Sequence, residues 1–313
     1  MSPIRASRPL PALAALLALA ACAPRAAVPA GPAPADEHAG HAMPAVAPAA
    51  GPAAAAQDRA LPAGAAEARA RLAASPRHGE WAMVRTPQGD SVRAWVVFPE
   101  RRDPAPVVVV AHEIFGLSDW IRAVADQLAA DGFVAVAPDL LTMKNLPAGP
   151  GGEPDADSAR VAIRTLAADD VHRQIRAVAG YAMALPAARK SYGIVGFCWG
   201  GSTSFEHAVR SPELGASVVY YGTSPATASL GAVRAPVLGL YGENDARVNA
   251  TVPPADSAMR ALGKTFEPHT FPGAGHGFLR QQDGQGGANL AATRQAWPLT
   301  VGWFRRHLEG GAR

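Results

Sequence analysis

The chain reads Gly196-Phe197-Cys198-Trp199-Gly200-Gly201 at a point where a short apolar strand, 191–195, is expected to turn abruptly into a helix, 202–210. Glycines on both sides of the cysteine favour a strained turn, because a residue without a Cβ atom accepts backbone angles and close approaches that other residues do not. Such a turn lifts one side chain clear of the sheet. The alternative is a buried, unreactive cysteine at a strand end, which is common for free cysteines.

Strand and helix patterns alternate on both sides of this turn. Two strand-like runs, 81–85 and 92–98, flank a Thr-Pro-Gln-Gly-Asp turn and predict an antiparallel hairpin. The later pattern predicts apolar strands at 107–111, 133–137, 191–195, 216–221, 236–241 and 265–271, and helices at 120–130, 168–184, 202–210, 254–262 and 290–308. Apolar strands alternating with helices predict a mostly parallel sheet covered on both faces. Preceded by a hairpin, this order predicts the α/β-hydrolase fold.

Three residues with matching chemistry follow strands of this sheet: Cys198, Asp245 and His276. Functional groups gather beyond the carboxyl ends of parallel strands, and the order nucleophile, acid, histidine is that of the α/β-hydrolase fold. We expect Asp245 to fix the imidazole tautomer, His276 to accept the thiol proton and later protonate the leaving group, and Cys198 to attack a carbonyl carbon. Glu243 is the rival carboxylate, and a turn aspartate or an inactive loop histidine are the alternatives.

The oxyanion formed by such an attack needs backbone N–H donors. The candidates are Trp199, directly after the cysteine, and Ile114, in the loop that follows the first central strand. Glu113 lies in the same loop, so its carboxylate is expected close to the thiol. The alternative for Glu113 is a solvated loop acid.

Four motifs together resemble the dienelactone hydrolase family: His112-Glu113-Ile114-Phe115-Gly116, Ala137-Pro138-Asp139-Leu140, the cysteine motif at 196–201, and Gly273-Ala274-Gly275-His276-Gly277-Phe278-Leu279-Arg280. They stand in the family's order and extend over about residues 81–307. The resemblance implies that Cys198, Asp245 and His276 form a catalytic triad that cleaves a small ester or lactone. It also implies that Glu113 hydrogen-bonds the resting thiol until substrate releases it. We expect no cofactor and no metal at this site.

The family pattern places two arginines on the substrate carboxylate. Arg280 matches one of them, but Met143 stands where the other is expected, and Lys144 beside it is a candidate substitute. A lysine supplies a point charge and lacks the bidentate grip of arginine. The pattern therefore does not favour dienelactone itself as the substrate. The Gly/Pro-rich segment 146–154 follows and is expected to form a rim of the cleft.

The first 22 residues predict an export signal. Arg5 and Arg8 precede a short apolar run, 13–21, which is too short to span a bilayer, and Cys22 follows directly. The ending Leu-Ala-Ala-Cys resembles a bacterial lipobox, in which the cysteine is acylated after cleavage. A signal with an incidental cysteine is the alternative. We expect an exported protein tethered to a membrane by lipid on Cys22, on the periplasmic or cell-surface side.

Residues 23–75 are rich in Ala, Pro and Gly and predict a disordered tether, which leaves 76–313 as one α/β domain. His38, His41 and Met43 could bind a soft metal, although a mobile linker offers no fixed geometry for one. The formal net charge of +3 does not favour a nucleic-acid partner, and we expect a monomer acting on a small molecule.

Two further functions compete with a cysteine hydrolase. One is a catalytically silent envelope binding protein on the same scaffold, since a fold alone does not prove activity. The other is metal handling through the histidines of the linker. Convergence of the thiol, the imidazole and the carboxylate would discriminate the hydrolase from the silent protein.

Overall fold

An eight-stranded sheet forms the centre of the computed structural model, which describes residues 58–149 and 152–310. The spatial order is β1-β2-β4-β3-β5-β6-β7-β8. β1 and β2 form an antiparallel hairpin, β2 is antiparallel to β4, and the remaining neighbours are parallel. The predicted α/β-hydrolase fold with its N-terminal hairpin is confirmed. The strands are β1 Gly79–Arg85, β2 Ser91–Val97, β3 Ala105–Ala111, β4 Val134–Asp139, β5 Ala188–Phe197, β6 Ala216–Tyr220, β7 Val237–Asn244 and β8 Phe266–Gly275.

Helices cover both faces of the sheet. They are α1 Ala68–Ala73, α2 Asp119–Ala130, α3 Ala156–Ile163, α4 Ala168–Ala184, α5 Trp199–Arg210, α6 Ala246–Asn249, α7 Val252–Ala261 and α8 Ala288–Phe304. Side chains of α2 and α8 belong to one apolar core, and those of α4, α5 and α7 belong to the other. In β3, Val108 and Val110 face the first core whereas Val107 and Val109 face the second. A strand buried on both faces must be apolar throughout, which explains the valine run. Within the described part of the chain, no helix combines the length and apolar character needed to cross a membrane.

The packed part of the chain reaches further toward the N-terminus than the expected boundary at residue 75. Leu61 and Ala63 are buried, and the indole N–H of Trp120 donates to the Ala63 carbonyl at 3.1 Å. The Ala65 N–H donates to the Arg280 carbonyl at 2.9 Å. This segment therefore packs against α2 and against the loop that carries Arg280. The predicted signal, Cys22 and the stretch 38–43 lie outside the described residues.

Helix α3 was not expected from the sequence. It follows the Gly/Pro-rich segment and begins after Asp155, whose carboxylate accepts the Ser158 N–H at 2.9 Å and so caps the helix. Asp155 N–H donates to the Pro147 carbonyl at 2.9 Å, which closes the preceding loop on itself. The segment thus delivers a helix, and its Arg160, to the edge of the cleft.

Candidate active site

Cys198 occupies the sharp turn between β5 and α5. Its backbone lies at φ 55° and ψ −115°, a strained conformation for a residue with a side chain. The turn is held by two hydrogen bonds: Cys198 N–H donates to the Tyr220 carbonyl at 3.1 Å, and Ser202 N–H donates to the Cys198 carbonyl at 3.0 Å. The residue is 6% exposed. The protein therefore maintains a costly backbone conformation at its only cysteine within the described residues.

Close backbone contacts explain the glycines around the cysteine. A Cβ atom on Gly196 would lie 1.8 Å from the Gly200 carbonyl oxygen, and one on Gly200 would lie 2.3 Å from the Ala111 carbonyl oxygen. These neighbours are main-chain atoms and cannot rotate away. The glycines thus let the start of α5 approach the carboxyl end of β3, where Glu113 and Ile114 follow.

Gly200→Ala is expected to destabilise the fold by about 3 kcal/mol or more, or to prevent folding, because the added methyl overlaps backbone on β3. Gly180→Ala is the matched control. A Cβ at that exposed position of α4 meets nothing within 4 Å, so it should stabilise the protein by about 0.5–1 kcal/mol. Urea unfolding of both variants measures the difference, and equal midpoints would contradict the packing described.

Asp245 and His276 are brought together by the register of two parallel strands. Asn244, the last residue of β7, is paired with Gly275, the last residue of β8. Asp245 and His276, which follow these two paired residues, are therefore adjacent. The Nδ1 atom of His276 lies 2.5 Å from Oδ2 of Asp245, and the Asp245 side chain is 8% exposed. A short bond between buried partners fixes the ring orientation and directs Nε2 toward the cleft.

Glu243, the rival carboxylate, has a different role. Its exposed side chain accepts the Gly273 N–H at 2.8 Å. The contact ties the end of β7 to the loop before His276. Of the two acids, the structure places Asp245 on the imidazole.

The pKa of His276 is raised to about 10. Burial by itself would lower it, but hydrogen bonds to Asp245 and to Cys198, and the negative charge that each can carry, outweigh burial. The imidazole is thus favoured in its protonated form. A protonated ring beside the sulfur stabilises a thiolate, which is the reactive form of cysteine.

Glu113 is buried against Arg280. Oε2 of Glu113 lies 2.7 Å from Nε of Arg280, and the two side chains are 4% and 14% exposed. Burial raises the pKa of Glu113, while the charges of Arg280 and His276 oppose the rise. The hydrogen bond from the resting thiol to Glu113 that the resemblance implies is not among the contacts of the described residues. Arg280 pairs with the Glu113 carboxylate, and His276 hydrogen-bonds with the Cys198 thiol.

Tyr221 is a site residue that the sequence did not reveal. It follows β6, has a φ of 40°, and is fully buried, with its ring centroid 5.1 Å from that of His276. Its hydroxyl interacts with Glu113, and burial first and then the Glu113 charge raise the pKa of this phenol. The sequence signal that could have identified Tyr221 is its position directly after a parallel strand. A neutral phenol here can donate to the Glu113 carboxylate.

The two candidate oxyanion donors are linked by His112. Its Nε2 accepts the Leu140 N–H at 3.2 Å, its Nδ1 lies 2.7 Å from the Glu113 carbonyl, and its ring stacks on Trp199 at 5.7 Å. Burial lowers the pKa of His112, so the ring is neutral and can accept at Nε2. Among the described residues, neither Ile114 N–H nor Trp199 N–H donates to a protein acceptor. Both amides are thus available to a ligand.

Arg160 joins Arg280 at the aromatic ring of Phe115. The guanidinium carbons lie 5.1 Å and 5.0 Å from the ring centroid, within the range of cation–π attraction. Arg160 belongs to α3, which the sequence pattern did not predict. Lys144, the expected partner of Arg280, instead lines a depression with Met143, Leu166 and Arg173, whose lining does not include Arg280. The structure thus places a second arginine, from a different element, at Phe115, where Arg160 is also paired with Asp157 at 2.9 Å.

Comparison with known proteins gives a consistent family. Residues 92–308 match the model of the dienelactone hydrolase family. A Salmonella typhimurium protein named "Putative carboxymethylenebutenolidase" is 32% identical over 232 residues, covering 70% of this chain and 84% of the relative. A Bradyrhizobium protein named "Probable 2-oxo-3-(5-oxofuran-2-ylidene)propanoate lactonase" is 29% identical, covering 74% of this chain and 95% of the relative.

A solved structure supports the same grouping. The crystal structure from Klebsiella pneumoniae titled "Putative Dienelactone Hydrolase" has a TM-score of 0.63 and 28% identity, and covers 72% of this chain and 98% of its own. The region that matches the family model includes β2 from its second residue, every later strand, and the strand ends that carry Cys198, Asp245 and His276. The chain belongs to the dienelactone hydrolase family and is a hydrolase of lactone or ester bonds.

Proposed function

We propose that the protein cleaves a small ester or lactone through an acyl-thioenzyme on Cys198. The observation that carries the proposal is the Nδ1–Oδ2 contact of 2.5 Å between His276 and Asp245, beside a cysteine held at a strained strand-to-helix turn. Nucleophile, base and orienting carboxylate within reach of one another are the arrangement of covalent catalysis. Their convergence favours a hydrolase over a silent binding protein.

The first half of the reaction forms the thioester. The thiol proton of Cys198 passes to Nε2 of His276, and the sulfur electron pair forms a bond to the carbonyl carbon. The carbonyl oxygen becomes an oxyanion, which the Ile114 and Trp199 N–H groups can stabilise. The carbon–oxygen bond to the alcohol then breaks, and the alcohol oxygen leaves with the proton from His276.

Water completes the reaction by the same route. His276 takes a proton from a water molecule, and the resulting hydroxide attacks the thioester carbon. The carbon–sulfur bond breaks, the acid is released, and Cys198 recovers its proton or remains a thiolate. Asp245 keeps the imidazole in one tautomer and stabilises its charge in both halves.

A direct test is hydrolysis of three substrates: p-nitrophenyl acetate, a saturated five-membered lactone, and an unsaturated lactone bearing a carboxylate. We expect acid release from at least one of them and its loss after alkylation with iodoacetamide. The names of the relatives concern lactones, which makes the lactones the more informative pair. Activity that survives complete alkylation of Cys198 would contradict the proposal.

We also propose that a substrate carboxylate binds between Arg280 and Arg160. Arg160→Gln should lower kcat/KM for the carboxylated lactone about tenfold relative to the uncharged one, since charge-assisted hydrogen bonds contribute about 1.5–3 kcal/mol. Arg164→Gln, an exposed change at the end of the same helix, is the control. Equal effects of Arg160→Gln on both lactones would show that the residue acts on structure and not on the anion.

From residues 1–22 we propose export and lipid tethering at Cys22. The support is the basic start, the short apolar run and the cysteine at its end. Bacteria grown with radiolabelled palmitate should label the wild-type protein and not Cys22→Ser. Label in both proteins would contradict acylation at this cysteine.

A further inference from the structure

A cavity lies beside the turn that carries Cys198. It has a volume of about 250 Å³ and lies between the start of α4, the first turns of α5 and the loop after β6. Trp199, the residue after Cys198, lines it together with Ser202 from the next turn of α5. Thr223 and Ser224 supply further hydroxyls from the loop. Trp199 is also a candidate oxyanion donor, so this residue connects the cavity with the proposed site of attack.

The least exposed polar residue of this lining is His172. It is 3% exposed, and its Nδ1 lies 3.1 Å from Nδ1 of His207, which is fully buried. Nε2 of His207 lies 3.1 Å from the Tyr192 hydroxyl, and that hydroxyl donates to the exposed Glu213 carboxylate at 3.3 Å. The four side chains form a connected line from the surface to the cavity wall.

Both imidazoles are neutral at pH 7. Burial, followed by the charges of Arg210 and Arg176, lowers the pKa of His172 to about 4, and burial lowers that of His207 well below its usual range. A neutral imidazole carries one donor and one acceptor nitrogen. A hydrogen bond between the two facing Nδ1 atoms therefore requires that one of them carries a proton and the other does not.

The Nδ1 atom of His172 is engaged with Nδ1 of His207, which also lies 3.4 Å from the Ser211 hydroxyl. Nε2 of His172 is therefore the ring nitrogen left for an occupant of the cavity. A hydroxyl group both donates and accepts, so it can pair with this nitrogen in either tautomer of the neutral ring.

Hydroxyl groups line much of the rest of the wall. Ser202 and Thr223 share a hydrogen bond at 2.9 Å. Glu206, the one carboxylate among the described lining residues, is paired with Arg210 at 2.9 Å. Among the described residues, the lining contains no lysine or arginine, unlike the side of the site where Arg160 and Arg280 face Phe115. A wall of hydroxyls and a neutral imidazole, without cations, suits a neutral group that forms hydrogen bonds.

We infer that this cavity binds a neutral, hydroxyl-bearing alcohol portion of the substrate, with His172 Nε2 hydrogen-bonded to one of its hydroxyls. The volume is below the roughly 300–1,000 Å³ of pockets for drug-sized ligands, so one small polyol unit fits. The inference rests on the proposed ester hydrolysis, because it assigns the leaving group of that reaction.

Paired substrates test the inference. Glyceryl monoacetate and propyl acetate have the same acyl group and carbon chain length and differ in hydroxyls on the alcohol. We expect kcat/KM for the glyceryl ester to be about tenfold higher, mainly through KM, since a site built for a hydroxyl rejects analogues that lack it. Thr223→Val and His172→Leu should bring the ratio near one. Thr270→Val, an exposed change on β8, should leave it unchanged.

A binding measurement makes the test independent of catalysis. Xylitol is added to the Cys198→Ala protein while the imidazole signals of His172 are followed by NMR. A saturable shift that Thr223→Val weakens supports the inference even if neither ester is cleaved, which would refute only the proposed function. Thr223 is half-buried at the loop, so its variant remains informative if His172→Leu fails to fold. Equal kcat/KM for the two esters together with no saturable shift would overturn the inference.

Discussion

Cys198→Ala is expected to lower ester or lactone hydrolysis by about 10⁴-fold or more, because no other group in the site can form the acyl intermediate. The strained turn supports this expectation. A φ of 55° at a residue with a side chain is kept where the position of that side chain matters. Steady-state kinetics on the substrate with the highest rate measures the loss, and the unfolding midpoint should change little because the alanine fits the space of the thiol.

Two further variants sharpen this experiment. Cys198→Ser should retain a small residual activity, since a hydroxyl is harder to deprotonate than a thiol. Cys22→Ser removes the other cysteine of the sequence, so that iodoacetamide has one target, and it should keep full activity when assayed in detergent-free extract. Full hydrolysis by Cys198→Ala would refute the acyl-thioenzyme and would direct attention to a water attack assisted by His276.

Much of the fold could be predicted because the determining patterns are local. The strands of the parallel sheet are apolar runs, and the hairpin turn has Pro and Gly at its centre. Cys198, Asp245 and His276 each come directly after a strand, so the chain order alone brought them to one edge. The short contact between Asp245 and His276 follows from the pairing of Asn244 with Gly275. No local sequence pattern encodes that pairing.

The features that could not be predicted from the sequence depend on contacts between segments that are distant in the chain. Residues 61–74 are Ala- and Pro-rich like the predicted tether, and only the fit of Leu61 and the bond from Trp120 to Ala63 distinguish them. Arg160 reaches Phe115 because the loop before α3 closes on itself, which the Gly/Pro composition of that loop conceals. The pairing of Glu113 with Arg280 likewise joins residues 167 positions apart in the sequence.

Asp245→Asn is expected to lower kcat/KM by about 10²–10⁴-fold, because an amide can hold His276 in the wrong tautomer and cannot stabilise its positive charge. Glu243→Gln is the matched control: it removes a carboxylate two residues earlier that bonds the Gly273 N–H and does not contact the imidazole. The control should retain activity within about twofold, the scale of a surface change below about 0.5 kcal/mol.

Asp245→Asn and Glu243→Gln also show whether Asp245 stabilises the positive charge of His276 or only orients its ring. The Asp245 contact is one of the causes that hold the pKa of His276 at about 10 against burial. In Asp245→Asn that support is lost, so an NMR titration of the ring should show its pKa falling toward the ordinary value of about 6.5. In Glu243→Gln the titration should stay as in the wild type. A thiolate on Cys198 would then lose its cationic neighbour at neutral pH, and alkylation by iodoacetamide at pH 7 should slow in Asp245→Asn alone. Lost activity with an unchanged titration would mean that Asp245 orients the ring without supporting its charge.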